Sequence, residues 1–257
     1  MKRKKFKIAA VCFMMVAGLM FASCGLADTI NLAVTEIVQE ATSFAFEEMG
    51  GGPTQNLAVG DFFNGEVLYV NLINNAVSIE FHDEAMMRID FSPPTTGQYV
   101  VPVVNTTSGR VEISDPPNNI SLTGNNRNGV LTVYIPRGVV AGNMELRTTN
   151  GAVRILGNND QLARSVEIVV TNGMVDMRDF SADNVAARST NGTVSGNGLT
   201  AGELALNTTN GVVNLRNSAV TGDLTVRTTN GSITVDNVDA DMDNADIRAT
   251  NGVVTIR

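Results

Sequence analysis

The second half of the chain repeats one short turn motif at nearly constant spacing, and that repeat limits the folds available to it. The pairs Asn150-Gly151, Asn172-Gly173, Asn191-Gly192, Asn210-Gly211, Asn230-Gly231 and Asn251-Gly252 recur every 19 to 22 residues, each preceded by a threonine. Three residues after each asparagine stands Val153, Val175, Val194, Val213, Ile233 or Val254. Five after it stand Ile155, Met177, Gly196, Leu215, Val235 and Ile256. Four before it stand Leu146, Ile168, Ala187, Leu206, Val226 and Ile247. Only Gly196 and Ala187 weaken these apolar columns. Self-similarity at a fixed period is the mark of a repeat architecture, in which neighbouring units bury one another's apolar faces.

Weaker copies lie upstream. Ser108-Gly109 precedes Val111 and Ile113, Asn128-Gly129 precedes Leu131 and Val133, and Asn74-Asn75 precedes Val77 and Ile79. Between the motifs apolar and polar residues alternate with the period of a half-buried strand, as in Leu131-Thr132-Val133-Tyr134-Ile135. Asn and Gly both tolerate positive φ, so each pair predicts a tight turn. Two folds use such turns. Each pair can close a two-residue hairpin, giving an antiparallel meander or sheet stack. Alternatively it marks one corner of a coil, and coils of roughly 20 residues stack as an all-β parallel β-solenoid. A hairpin sets Arg147 opposite Arg154, an unfavourable like-charge pair. Stacking aligns Arg227 with Arg248, so charge alone leaves both folds open.

The pattern Thr-Asn-Gly-x-Val-x-Ile, with Leu131-Thr132-Val133-Tyr134-Ile135-Pro136-Arg137-Gly138 leading into Leu146-Arg147-Thr148-Thr149-Asn150-Gly151, resembles the bacterial putative-adhesin family, a β-strand-repeat domain of unknown function. The resemblance covers roughly residues 70–257. It implies a β-solenoid and brings no catalytic motif. Six coils at about 4.8 Å each make a stack about 29 Å long.

The N-terminus is an address. Lys2, Arg3, Lys4, Lys5 and Lys7 precede an apolar run from Ile8 to Ala22, which is shorter than the roughly 20 residues of a spanning helix. The run ends Phe21-Ala22-Ser23-Cys24-Gly25, which resembles the lipobox of bacterial lipoproteins, with Phe21 in place of the usual leucine. Residues 1–23 are therefore expected to be a lipoprotein signal peptide and Cys24 the lipidated residue, anchoring an exported protein in the bacterial cell envelope. Residues 24–55 follow as a spacer and N-terminal cap, and residues 56–257 as the solenoid. Within the spacer, Ile30, Val34, Ile37, Val38 and Ala41 have helical spacing, whereas Phe44 and Phe46 alternate like a strand.

Charge excludes several functions. The chain carries −8; without residues 1–23 it has 13 arginines, no lysine and 26 acids, or −13. That balance argues against nucleic-acid binding. His82, the single histidine, has no nucleophile motif around it and is expected in an exposed turn. Asp239, Asp241 and Asp243 open like a calcium loop, but Asn244 replaces the turn glycine and Thr250 the closing glutamate, which makes a weak calcium candidate at most. Arg147, Arg188, Arg227 and Arg248, each three residues before an asparagine, form a candidate binding stripe for an anionic glycan or acidic protein. Their other role is ordinary surface pairing with acids such as Glu145 or Asp246.

No cofactor is expected. The expected function is a non-enzymatic envelope scaffold for binding or adhesion; the alternatives are a carboxylate-dependent polysaccharide-active β-helix enzyme and a self-assembly module. The last carries its own expectation. Arg257 follows closely on the last Asn-Gly, and the edge there is expected to self-associate or to meet a partner.

Overall fold

The computed structural model describes residues 50–116 and 129–257. The signal peptide, Cys24 and the spacer up to residue 49 lie outside them. Among the described residues, seven strands precede the strong repeats: β1 (Gln55–Gly60), β2 (Val67–Leu72), β3 (Ala76–His82), β4 (Met87–Ser92), β5 (Val103–Thr107), β6 (Arg110–Ser114) and β7 (Val130–Pro136). Paired strands then flank each Asn-Gly. They are β8 (Ala141–Thr148) with β9 (Val153–Leu156), β10 (Gln161–Asn172) with β11 (Val175–Arg178), and β12 (Ser181–Asn191) with β13 (Val194–Asn197). The series continues with β14 (Thr200–Asn210) and β15 (Val213–Val220), β16 (Leu224–Asn230) and β17 (Ile233–Asp239), and β18 (Asp246–Asn251) and β19 (Val254–Ile256).

Each pair is one coil, and equivalent strands of successive coils pair in parallel. One ladder, face A, runs β6-β2-β8-β10-β12-β14-β16-β18. The other, face B, runs β7-β3-β9-β11-β13-β15-β17-β19. The chain is an all-β, mostly parallel β-solenoid. Among the described residues, antiparallel pairing is confined to β1–β4, β4–β7 and β5–β6 at the N-terminal end.

The apolar columns counted along the sequence become the interior. Val153, Val175, Val194, Val213 and Ile233 point inwards from face B, and Leu146, Ile168, Ala187, Leu206 and Val226 from face A, all buried. Each valine, leucine or isoleucine among them contributes about 1.5–3 kcal/mol on burial, and Ala187 less. The weak position Gly196 is filled from elsewhere: a Cβ there would lie 2.8 Å from Leu199 Cδ1, and Leu199 is itself buried.

Two features depart from the sequence-based expectation. Ser108-Gly109 is no coil corner; it closes a two-residue hairpin between β5 and β6, with Gly109 at φ 79°. Coil order also departs from chain order. The β2–β3 coil sits between β6–β7 and β8–β9, so the chain passes over it between β7 and β8.

Candidate functional site

The corner between the two faces explains the repeated residues. The turn asparagines form a ladder in which each Nδ2 donates to the Oδ1 of the preceding coil, from Asn150 to Asn74 at 2.9 Å through to Asn251 to Asn230 at 2.8 Å. A second ladder, Asn237 to Asn217 to Asn197, lines another corner at 2.8 Å per step. In-register asparagines along a stack of strands bond in this way because their amides repeat at the strand spacing.

Positive φ is not the reason for the glycines. Among the repeat-turn residues only Gly231 has it, at 153°. The reason is close approach. A Cβ on Gly192 would lie 1.9 Å from the Gly173 carbonyl oxygen, and one on Gly211 would lie 2.0 Å from that of Gly192. Those carbonyls accept inward hydroxyls: Ser189 donates to Gly173, Thr208 to Gly192 and Thr228 to Gly211, at 3.0, 2.9 and 3.2 Å. Left-handed backbone occurs instead at Asn159, Asp179, Asn217 and Asn237, near the opposite end of the face B strands.

Face A presents the arginine column. Arg147, Val169, Arg188, Asn207, Arg227 and Arg248 pair rung to rung, so the structure does bring the four arginines into one line. Three of them are engaged. Arg147 reaches Glu167 at 2.9 Å and Glu145 at 3.6 Å. Arg227 pairs with Asp246, and Arg248 Nε lies 3.3 Å from the same carboxylate, which separates the two aligned cations. The Arg227 guanidinium holds the Asp246 carboxyl below its ordinary range. Among the described residues Arg188 makes no ion pair. It is exposed, with Ala186 and Thr190 beside it on its own strand and Val169 and Asn207 across the ladder. Glu167, diagonal to it on the preceding rung, is drawn to Arg147, which leaves the Arg188 guanidinium donors for an incoming carboxylate or sulfate.

The acidic turn is exposed. Asp241 accepts the Asp243 N–H at 3.2 Å and the Asn244 amide at 2.7 Å. Among the described residues no three His, Cys, Asp or Glu side chains are grouped to hold a metal. His82 is not the exposed turn residue expected. It ends β3 with its side chain only 12% exposed, 3.7 Å from the Glu84 carboxylate and with its ring 5.8 Å from that of Tyr134. The acidic Glu80-Phe81-His82-Asp83-Glu84 context hid this, because the neighbouring residue, Tyr134, lies far away in sequence.

Parallel coils around one apolar interior, with asparagine-ladder corners and a partly unpaired arginine column outside, define a β-solenoid repeat protein. More specifically, the chain belongs to the Toastrack DUF4097 family, whose pattern matches residues 67–257. That is the repeat family its Thr-Asn-Gly motifs resemble. Similar solved structures include a "putative adhesin" from Bacteroides fragilis NCTC 9343, 12% identical, covering 81% of this chain and 99% of that one at a TM-score of 0.46. A "putative cell adhesion protein" from Clostridium sporogenes ATCC 15579 is 13% identical over 79% of this chain and 99% of that one, at 0.43. A "putative lipid binding protein" from Parabacteroides distasonis ATCC 8503 is 12% identical over 81% and 98%, at 0.35. No curated protein matches the chain.

Proposed function

We propose that the chain is a non-enzymatic lipoprotein of the bacterial cell envelope, exported by residues 1–23 and anchored through Cys24. Its solenoid holds face A out as a binding surface. The ligand class is an anionic glycan, and Arg188 is the contact that selects it. The observation carrying this reading is the contrast within one column: Arg147, Arg227 and Arg248 are occupied by acids, whereas Arg188 is exposed and, among the described residues, makes no ion pair, its diagonal neighbour Glu167 being taken by Arg147.

Calorimetric titration of the lipid-free chain with polygalacturonate tests it. Binding is expected, weakened about tenfold or more, about 1.4 kcal/mol, by Arg188→Ala and far less by Arg227→Ala. No heat of binding, or equal binding by Arg188→Ala, contradicts it. Anchoring has a separate readout: labelled palmitate is expected in the wild-type chain and absent from Cys24→Ser.

The β18–β19 edge supports a second contact. Val253, Val254 and Ile256 are 62, 37 and 52% exposed, although the residues equivalent to Val254 and Ile256 in earlier coils are buried. We propose that this edge adds strands from a second copy. Sedimentation velocity is expected to show dimers that Ile256→Glu abolishes; a monomer at all concentrations overturns the idea.

A further inference from the structure

The chain contains one Asp-Pro bond, Asp115-Pro116, and the fold gives its aspartate unusual surroundings. Asp115 follows β6, whose last residue, Ser114, pairs with Asn71 of β2. One residue further on, Asp115 is half-buried at the solenoid corner. Its Oδ2 accepts the Ile73 N–H at 2.7 Å, which holds the carboxyl group in place. Its Oδ1 is buried and has no hydrogen-bond partner. Among the described residues no cation lies within ion-pair distance of it.

An aspartyl carboxyl placed before proline can attack its own peptide carbonyl. The new Oδ1–C bond closes a five-membered cyclic anhydride, and the C–N bond to Pro116 breaks. The carboxyl proton passes to the proline nitrogen, which leaves as a secondary amine. Water then opens the anhydride, restoring the Asp115 side chain and leaving a new C-terminal carboxylate. The reaction consumes one water and needs no metal or oxidant. Proline favours it because its nitrogen is a more basic leaving group than an ordinary amide nitrogen. What limits it in an ordinary sequence is the proton, since an exposed aspartate is ionised near neutral pH. Asp115 differs. Burial pushes its carboxyl above the ordinary range, with the Ile73 N–H acting in the opposite sense. Its unpartnered oxygen also spends no lone pair on another donor.

We propose that the folded chain cleaves itself at Asp115-Pro116 in mildly acidic solution, through attack of Asp115 Oδ1 on the residue's own peptide carbonyl. The two products stay assembled. β2 lies between β6 and β8, and β3 between β7 and β9, so the piece ending at Asp115 is interleaved with the piece beginning at Pro116. The nick is therefore silent in native sizing and visible only under denaturing conditions.

The test incubates the full chain at about pH 5, folded and in urea, and follows both new termini by mass spectrometry. Burial favours the protonated carboxyl, and the folded chain is expected to cut measurably faster than the unfolded one. The rate is independent of protein concentration, unlike that of a contaminating protease. Pro116→Ala keeps the carboxyl and its Ile73 contact; it is expected to abolish cutting while leaving the pH dependence of melting unchanged. A folded chain that cuts no faster than the unfolded one overturns the proposal, as does undiminished cutting in Pro116→Ala.

Discussion

At the turn positions, glycine and asparagine do separate jobs, and substitution separates them. Gly192→Ala pushes a Cβ into the Gly173 carbonyl, a backbone group that cannot rotate away. Urea unfolding is expected to show a loss of about 3 kcal/mol or more, at the upper end of overpacking. Asn191→Ala removes two ladder bonds, to Asn172 and from Asn210, and is expected to cost about 1–2 kcal/mol because each is solvent-exposed. Asp115 adds a pH dependence of known sign. Its folded carboxyl lies above the unfolded value, so its contribution to stability is complete below the unfolded value and is lost as pH rises through the folded one. Asp115→Asn is therefore expected to raise the melting temperature at neutral pH and to change it little in strong acid. These residues were visible as a repeat in the sequence, but their cause was not. A turn glycine looks the same in sequence whether it serves a positive φ, as Gly109 does in its hairpin, or a close backbone approach, as Gly192 does.

Strands carry the charge pattern. Asp246 of β18 sits between Arg227 of β16 and Arg248, so one carboxylate serves two aligned arginines. Asp246→Ala leaves two cations on neighbouring rungs. Its melting temperature is expected to fall, more at low salt than at high salt, because exposed charges are screened. The Asp246 carboxyl is held low, so its contribution is present above the unfolded value and is lost as pH falls through the folded one. The arginine column itself was legible, since four members share one offset from an asparagine. Which of them are occupied was not, because that depends on acids brought alongside by register. Glu167 lies diagonal to both Arg147 and Arg188 and pairs with Arg147, and the same outward column carries Ala186 and Ala205 on the next two rungs, which brings Arg188 no second acid.

The whole molecule is a stack whose interior was legible from periodicity and whose order was not. Stacked parallel strands repeat identical columns, so any two coils have matching sequences, and nothing local states which coil touches which. The chain therefore reveals that Asn74-Asn75 belongs to a coil without revealing that β2–β3 is inserted between β6–β7 and β8–β9. That insertion ties the N-terminal antiparallel strands to the repeats and interleaves the segments on either side of Asp115-Pro116. It also gives the most direct test of the structure. Tyr69 pairs with both Glu112 and Glu145, which places residues 112 and 145 two rungs apart. Cysteine pairs are introduced at 69 and 145 or at 112 and 145, in a Cys12→Ser, Cys24→Ser background, and treated with a thiol crosslinker that spans one rung of about 4.8 Å but not two of about 9.6 Å. Crosslinking of the 69–145 pair but not the 112–145 pair is the expected result; efficient crosslinking of 112–145 with none at 69–145 would mean that the coils stack in chain order and would contradict the account.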